Sequence, residues 1–495
     1  MPALCQKIVM GAEMAKSSIN RRTFLKGSAS AVALMSLPAM GATGPYTRQE
    51  WQAFKLTPQF ESFKTAIRLM KAATDATKPT SWSYWVNVHV NYCPHMVPYF
   101  CAWHRGYLYY FEQQLRTVSG DNSLTLPYWD YYSYPTIPQE FLDAATGNPL
   151  YVSGRINSNV SSALTLAPFA PSVVNFPRGT SNSYEASFES APHNPVHNLI
   201  GGWMADMQSP TDPIFYLHHA NVDRLWDAWS QQPQTTLPLP SNSYWSGSFT
   251  YAKGLTILKS KTYMPSLLNY QYANATVPTS LPPTAQQGRI IRVQAQLGPI
   301  HGRPALAGFS KTSERAIDSG RRSLGGVANM SLNEKSVSAQ LQLSSSASAA
   351  LQDTLKGRSA AAALQQGSNA APATTYRSVD VVLDSVTVTE LGRKGGYFYN
   401  VYLNLPEQGD VDGVSQKHFL GTLGPFEISA AMHHAESAHS QAPVLVFPAT
   451  ELMQRLGAGA SGVVVSLVRV DGPSAPKGSA ISVGELRIEL STSAP

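Results

Sequence analysis

Cysteine is scarce in this sequence: the 495 residues include three, and only Cys93 and Cys101 follow the first 42 residues. Two cysteines cannot build the disulfide framework that holds many exported domains together. Charged residues are also few, at 14%. Five cations against Glu13 place four of the six net positive charges in the first 42 residues, so the rest of the chain gives no support to nucleic-acid binding. The length allows two or three folding units with large apolar cores.

The basic start of the chain resembles a twin-arginine export signal. Arg21 and Arg22 precede a Thr-Phe-Leu-Lys run, and an uncharged, alanine-rich stretch follows from Gly27 to Gly44. That stretch is too short for a stable membrane span, so we predict a signal peptide over residues 1–42, with a retained anchor as the alternative. Twin-arginine export carries proteins that have already folded. We expect a periplasmic or secreted protein without stable membrane association.

Aromatic residues and histidines divide the remaining chain into regions. Residues 43–285 are rich in Trp, Tyr and Phe and contain seven of the twelve histidines. Residues 310–375 contain neither an aromatic residue nor a histidine, which predicts a partly low-complexity linker over 286–375, with an alanine-rich helix near 346–365. From residue 376 apolar residues alternate as in strands, for example in Tyr397–Leu403, which predicts a β-sandwich over 376–495.

Three histidines lie within sixteen residues in the first part of the aromatic region: His89, His95 and His104. A single histidine in such a region is usually a core residue satisfied by a hydrogen bond. Three together favour a metal site, because imidazole nitrogen suits copper and three donors leave a position open for a small ligand such as oxygen.

A second histidine cluster begins with His193 and His197, whose spacing places both imidazoles on one helix face. Asp212 and Pro213 then have the features of a helix start, and the helix that they predict carries the adjacent pair His218 and His219. A third ligand from this second helix is therefore expected.

These segments resemble the two copper motifs of the tyrosinase, polyphenol oxidase and molluscan haemocyanin family. An Arg-x-Tyr-Leu run follows His104, and the string Asp-Pro-x-Phe-x-x-His-His-x-x-x-Asp-x-x-Trp is matched in full from Asp212 to Trp226. The resemblance covers about residues 46–272, ending at a Tyr-Gln-Tyr motif. It implies a mainly α catalytic domain in which a four-helix bundle surrounds a dinuclear site of two copper ions.

The resemblance also assigns the ligands. It implies that copper A is bound by His89, His95 and His104, and that copper B is bound by His193, His197 and His219. In the double histidine the second residue matches the ligand position, which leaves His218 as a neighbour that does not bind the metal.

The family resemblance implies a tyrosinase that uses O₂ to hydroxylate small monophenols and to oxidise o-diphenols to o-quinones. A catechol oxidase restricted to diphenols and a haemocyanin-like oxygen carrier are the alternatives, although export of a single copper domain with a β module speaks against a carrier. The sequence leaves open whether a copper chaperone is a partner.

Monophenol chemistry requires a base, because a phenol with a pKa near 10 seldom ionises unaided in neutral water. Glu189, four residues before His193, and Asn194, directly after it, match the pair that holds a water over copper B in monophenol-active relatives. An exposed carboxylate and a simple loop residue are the alternative interpretations of the two side chains. Glu185 is the competing carboxylate.

Cys93 stands two residues before His95, the spacing at which fungal relatives carry a thioether between sulfur and imidazole. That resemblance predicts a Cys93–His95 thioether, with a free thiol or a disulfide to Cys101 as alternatives. Cys101 itself is expected to be buried packing.

The C-terminal region resembles the β domain of plant-type polyphenol oxidases, on the stretches Gly396–Pro406 and Phe419–Phe426. In the family this domain covers the copper site and keeps the proenzyme latent, and a plain stability module is the alternative. The histidine-rich stretch Met432–His439 matches no family motif and is predicted to be a solvated loop.

Overall fold

The computed structural model describes residues 44–283, 302–357, 375–407, 416–437, 443–457 and 462–493. The predicted signal peptide, residues 1–42, lies outside these ranges. Within them, no helix combines the length and the apolar character that crossing a membrane requires.

Residues 44–283 form a mainly helical domain. Its helices are α1 (Trp51–Phe54), α2 (Gln59–Ala72), α3 (Trp82–Tyr92), α4 (Phe100–Ser119), α5 (Gln139–Leu142), α6 (Tyr184–Phe188), α7 (Asn194–Ile200) and α8 (Ile214–Ser230). Its short strands are β1 (Tyr46–Arg48), β2 (Ser248–Ala252), β3 (Leu255–Leu258) and β4 (Tyr270–Tyr272). Helix α8 is buried along its whole length, and α4 packs against it and against α2.

A buried carboxylate connects the ends of this domain. Asp223 of α8 accepts hydrogen bonds at 2.5 Å from the hydroxyls of both Tyr270 and Tyr272, and it accepts one at 2.6 Å from Arg105 of α4. Arg48 of β1 approaches the same carboxylate at 3.4 Å, and β1 pairs in parallel with β4. The Asp of the second motif, the Arg of the first and the Tyr-Gln-Tyr motif therefore meet in one network.

In its described residues, the second domain contains two antiparallel sheets and four helices. Its strands are β5 (Ser310–Thr312), β6 (Arg315–Ala316), β7 (Arg321–Leu332), β8 (Val337–Leu341), β9 (Ser378–Val388), β10 (Tyr397–Leu403), β11 (Phe419–Leu423), β12 (Val444–Pro448), β13 (Val463–Asp471) and β14 (Ile481–Ser491). Its helices are α9 (Ser345–Leu355), α10 (Glu390–Arg393), α11 (Pro425–Ser437) and α12 (Thr450–Leu456).

The strand order is β11-β10-β13-β8 in one sheet and β12-β9-β14-β7-β5 in the other, where β6 also pairs with β7. Apolar residues of both sheets form one core, for example Val381 and Leu486 from the second sheet with Val401 and Val465 from the first. This arrangement is that of a sandwich.

The linker predicted over 286–375 is wrong where the structure describes it. Strands β5 to β8 belong to the two sheets, and β7 buries Leu324, Val327 and Met330 in their common core. The absence of aromatic residues did not exclude strands, because small and aliphatic side chains fill this part of the core. The predicted alanine-rich helix corresponds to α9, which begins after Ser344 and is shorter than expected. Residues 286–301 and 358–374 lie outside the described residues.

The solvated loop predicted over Met432–His439 is also wrong in its described part. Helix α11 continues to Ser437, and the side chains of Met432 and His433 are half-buried. The apolar face of α11 includes Ile428 and Ala431 in the β-domain core, which holds the helix in place. His439 lies outside the described residues.

Candidate metal centre and the helix above it

The first histidine cluster comes together between two helices of the catalytic domain. His89 lies in the last turn of α3, His104 in the first turn of α4, and His95 in the connection between them. All three are buried. Their ligand atoms and the sulfur of Cys93 lie within 4.8 Å of one another.

Backbone carbonyls fix two of these rings. Nδ1 of His89 donates to the carbonyl of Met207 at 2.8 Å, and Nδ1 of His104 donates to that of Phe100 at 2.8 Å. Each bond leaves the lone pair on Nε2, the atom that faces the cluster. The buried Nε2 of His89 has no hydrogen-bond partner among the described atoms, so a bound metal ion would satisfy it.

The second cluster is tighter. Nε2 of His219, in α8, lies 3.3 Å from Nε2 of His193 and 3.3 Å from Nε2 of His197. Nδ1 of His197 donates to the carbonyl of Met204 at 2.7 Å, and Nδ1 of His193 donates to Oδ1 of Asn194 at 2.8 Å. Two nitrogens bound to one ion at roughly 2 Å and a tetrahedral angle lie roughly 3.3 Å apart. The three imidazoles therefore fit a shared metal ion.

Burial keeps these imidazoles neutral. It lowers the pKa of His89 and of His197 to about 3. It also lowers the pKa of His104, His193 and His219 well below the usual value, and neighbouring imidazoles add to the effect. A neutral imidazole can bind a metal without first losing a proton.

His218 joins the second cluster in space although it was predicted not to bind metal. Its ring stacks on His193 with centroids 5.2 Å apart, and its ligand atoms lie within the 4.8 Å limit of the group. Neither of its nitrogens has a hydrogen-bond partner among the described atoms. The 3.3 Å contacts, however, involve His219 rather than His218.

Cys93 is a buried free thiol in the structure, as is Cys101. The disulfide alternative is therefore wrong. The sulfur of Cys93 lies 3.6 Å from Nε2 of His95 and 3.3 Å from Nε2 of His104. Burial raises the pKa of the Cys93 thiol well above its usual value.

Glu185 and Glu189, which precede the second cluster in the chain, are both buried. The alternative interpretation of Glu189 as an exposed carboxylate is therefore wrong. One oxygen of Glu189 accepts from the backbone N–H of Met96 at 2.7 Å, and the other accepts from the guanidinium of Arg178. Burial raises the pKa of Glu189, and Arg178 opposes that shift. Glu189 lines a cavity of about 390 Å³ together with Asn194 and Met96.

Glu185 has a different role in the structure. Its carboxylate accepts from the backbone N–H groups of Arg178, Cys101 and Tyr99 at 3.1 to 3.3 Å. It does not line the cavity that Glu189 lines. Burial raises the pKa of Glu185 to about 7, but its contacts are those of a residue that holds the start of α4.

Phe426, the second residue of α11, covers both histidine clusters. Its ring stacks on His197 with centroids 4.1 Å apart, and it meets His95 edge-on at 5.1 Å and His193 at 5.7 Å. This role could not be predicted, because nothing in the sequence pattern around Gly424 and Pro425 indicates which side chain enters the other domain. The structure therefore places a C-terminal aromatic ring directly above the candidate metal centre.

Residues 79–161 and 143–232 match the family profile described as the common central domain of tyrosinase, and residues 18–38 match the twin-arginine translocation signal. A tyrosinase from Streptomyces glaucescens is 31% identical over 30% of this chain and 68% of its own length. A tyrosinase from Hahella sp. (strain CCB-MM4) is 34% identical over 33% of this chain, and a chloroplastic polyphenol oxidase from Malus domestica is 26% identical over 51%. The chain spans about half the length of these last two relatives, 46% and 52%.

The structure of latent apple tyrosinase aligns with 92% of this chain and 99% of its own, with a TM-score of 0.50 and 19% identity. That likeness shows the fold, a helical core followed by a sheet region. The signal at residues 18–38 shows export through the twin-arginine pathway, to the periplasm or the medium. The two buried histidine groups fit the two copper ions of the family's dinuclear centre. The chain belongs to the tyrosinase family of copper-dependent oxidoreductases.

Proposed function

We propose that this protein is an exported tyrosinase that uses O₂ to hydroxylate small monophenols at the ortho position and to oxidise o-diphenols to o-quinones. The observation that carries the proposal is the pair of buried imidazole groups, in one of which Nε2 of His219 lies 3.3 Å from Nε2 of both His193 and His197. A purely structural protein does not need this arrangement.

The ligand sets follow the motifs. Copper A would be held by His89, His95 and His104, and copper B by His193, His197 and His219. Helices α3, α4, α7 and α8 supply four of these residues, and His193 directly precedes α7. We infer that these helices form the family's four-helix bundle. When bound, the two copper ions supply two electrons to O₂.

The protein's own groups orient the site and handle the phenol proton. The carbonyls of Met204, Met207 and Phe100 hold three imidazoles with Nε2 inward. Glu189 is the base: each of its oxygens accepts one hydrogen bond and keeps a second lone pair, which can take the phenol proton. Asn194 uses Oδ1 for His193, which leaves its amide N–H groups to orient a water or the phenol oxygen beside Glu189.

The diphenol-only alternative differs at this step alone. Oxidation of a catechol includes no hydroxylation step and would not require Glu189 as the base. An assay on tyrosine and on a catechol separates the three functions when the copper-loaded protein is tested before and after proteolytic removal of the β domain. Both activities are expected after removal, turnover of catechol alone would indicate a catechol oxidase, and reversible O₂ binding without turnover in either form would indicate a carrier.

We also propose that the full chain is latent, as in family members whose β domain covers the site. The support is the position of Phe426, whose ring occupies the space above His95, His193 and His197 where a flat phenol would lie. Activation then requires removal of the β domain or movement of α11.

A further inference from the structure

One amide side chain, that of Asn198 in helix α7, connects this helix to the turn that carries Phe426. Oδ1 of Asn198, the residue after His197, accepts from the backbone N–H of Phe426 at 2.8 Å. Its Nδ2 donates to Glu427 at 2.7 Å. The contact is close because Gly424 has no side chain: a Cβ there would lie 2.4 Å from the amide of Asn198.

A second connection between the two domains runs through Thr422 of β11. Its hydrogen bonds bear on the protonation state of Glu427. The Thr422 hydroxyl lies 2.8 Å from the carbonyl oxygen of Ser190 and 2.7 Å from Oε1 of Glu427. A carbonyl can only accept, so the hydroxyl hydrogen is directed to Ser190. Thr422 can then only accept from Glu427, and both contacts are hydrogen bonds only if Glu427 carries a proton.

The surroundings of Glu427 agree with a neutral carboxyl group. Its side chain is buried, and none of the ion pairs formed by the described residues includes it. Burial raises its pKa, and the hydrogen bonds of Asn198, of Thr422 and of the backbone at Glu427 and Gly424 oppose that shift.

The titratable groups around Glu427 do not offer it a counter-ion. Glu189, in the segment before His193, and Tyr397 of β10 interact with it electrostatically, and each would be a like charge if ionised. Arg178 and Glu451 line the same cavity, but Arg178 is bound to Glu189. Asp206, Arg393 and His433 surround a different cavity beside α11. The histidines of the metal centre lie beneath Phe426.

We propose that Glu427 is a proton-dependent latch, which holds Phe426 over the copper site when it is neutral and releases α11 when it ionises. The inference rests on the proposed closed, latent state of the site. Its consequence is reversible activation by alkaline pH without proteolysis, in addition to activation by removal of the domain.

The direction follows from proton linkage. The closed form binds a proton that the open form, with a solvated carboxyl group, releases at lower pH. The closed form is therefore favoured most strongly below the ordinary pKa of a glutamate. This preference weakens as pH rises through the higher pKa that Glu427 has in the closed form. Above that value each pH unit favours the open form by up to about tenfold. An ionised Glu427 would compete with the Ser190 carbonyl for one hydroxyl hydrogen and would be buried without a counter-ion.

The test compares the full-length, copper-loaded protein with Glu427→Gln. Glutamine reproduces the neutral acid, because its amide can donate to Thr422 and its carbonyl can accept from Asn198, but it cannot ionise. Thr422→Val removes the tie at every pH and keeps the shape of the side chain. Glu451→Gln removes an exposed carboxylate at the rim of the same cavity and serves as the matched control.

Two measurements cover the range from about pH 5 to about pH 9. The first is hydrogen–deuterium exchange of peptides spanning Phe419 to Met432. Each variant is compared with the wild type at equal pH, so the intrinsic pH dependence of exchange cancels. The second is the ratio of wild-type to variant rates on a catechol.

At low pH we expect equal protection in the wild type and in Glu427→Gln. At high pH we expect faster exchange and a higher relative rate in the wild type, approaching the tenfold-per-unit limit. Thr422→Val should exchange fast throughout, and Glu451→Gln should follow the wild type.

Equal exchange of the wild type and Glu427→Gln at every pH would overturn the latch, as would a wild type that opens at low pH instead. The exchange experiment does not require turnover. An inactive protein with the expected exchange pattern would therefore count against the proposed function and not against the latch.

Discussion

Phe426 and His197 stack with ring centroids 4.1 Å apart although one belongs to the β domain and the other to a copper-binding helix. Nδ1 of His197 is held by the carbonyl of Met204, so the ring cannot turn away from its aromatic neighbour. Access to the candidate copper B site therefore depends on where α11 lies.

Replacing Phe426 with alanine should raise the rate of the full-length protein on a catechol, because the ring is removed while the β domain remains attached. Phe447→Ala is the matched control, since Phe447 lines the cavity but has no ring contact with a histidine among the described residues. Steady-state kinetics on both variants decide the question. An unchanged rate for Phe426→Ala with normal copper content would show that the ring does not limit access.

The ligand assignment predicts two copper ions per chain and distinguishes the adjacent histidines. His104→Ala and His219→Ala should each lose copper and activity, because each leaves a three-nitrogen site with two. His218→Ala should keep its copper and lose only part of its rate, as expected when a neighbour of the ligands is changed. Metal analysis of the purified variants measures this. Full copper content and activity in His219→Ala would contradict the assignment.

The base assignment predicts a selective loss. Glu189→Gln and Asn194→Gly should lower turnover of tyrosine by about a hundredfold, as is typical when a general base is removed, and should lower turnover of a catechol only slightly. The ratio of the two activities is the observable. Glu185→Gln is the comparison, because its contacts are to backbone N–H groups rather than to the cavity.

An equal loss of both activities in Glu189→Gln would have a structural explanation. Glu189 also binds the backbone of Met96, the residue after His95, so it connects the segments that lead to the two copper sites. Copper content and ultraviolet circular dichroism of the variant would then show whether the geometry had changed. A selective loss in Glu185→Gln instead would transfer the role to that residue.

The Cys93–His95 thioether remains a prediction, and the two residues are close enough to form it, with Sγ 3.6 Å from Nε2 of His95. The bond forms with loss of the thiol hydrogen and one imidazole hydrogen, and O₂ would be the two-electron oxidant, taking up both protons to give H₂O₂. The matured protein should be two hydrogens lighter than its sequence and should lack a titratable thiol at Cys93. Cys93→Ser, which should have the mass that its sequence predicts, is the control for the intact-mass measurement.

The histidines and their assignment to two groups could be predicted from the sequence, because the spacing of His193 and His197 fixes their shared face and the motif around His219 is local. Other features could not. Strand β7 contains no aromatic residue, and its burial depends on a sheet assembled from β9 and β14, which are distant in the chain. Phe426 and Glu427 lie more than 220 positions from Asn198, the partner that gives them their roles.

The network at Asp223 sets a limit on how far the N-terminus can be trimmed after export. Arg48, whose Nε also binds Glu112 at 2.7 Å, lies just six positions beyond the predicted signal peptide. A cleavage that removed β1 would leave two buried carboxylates without this cation, and breaking a buried pair of that kind typically costs about 3–5 kcal/mol. Asp223 lies one turn along α8 from His219. The choice of cleavage site therefore affects the integrity of helix α8 as well as secretion.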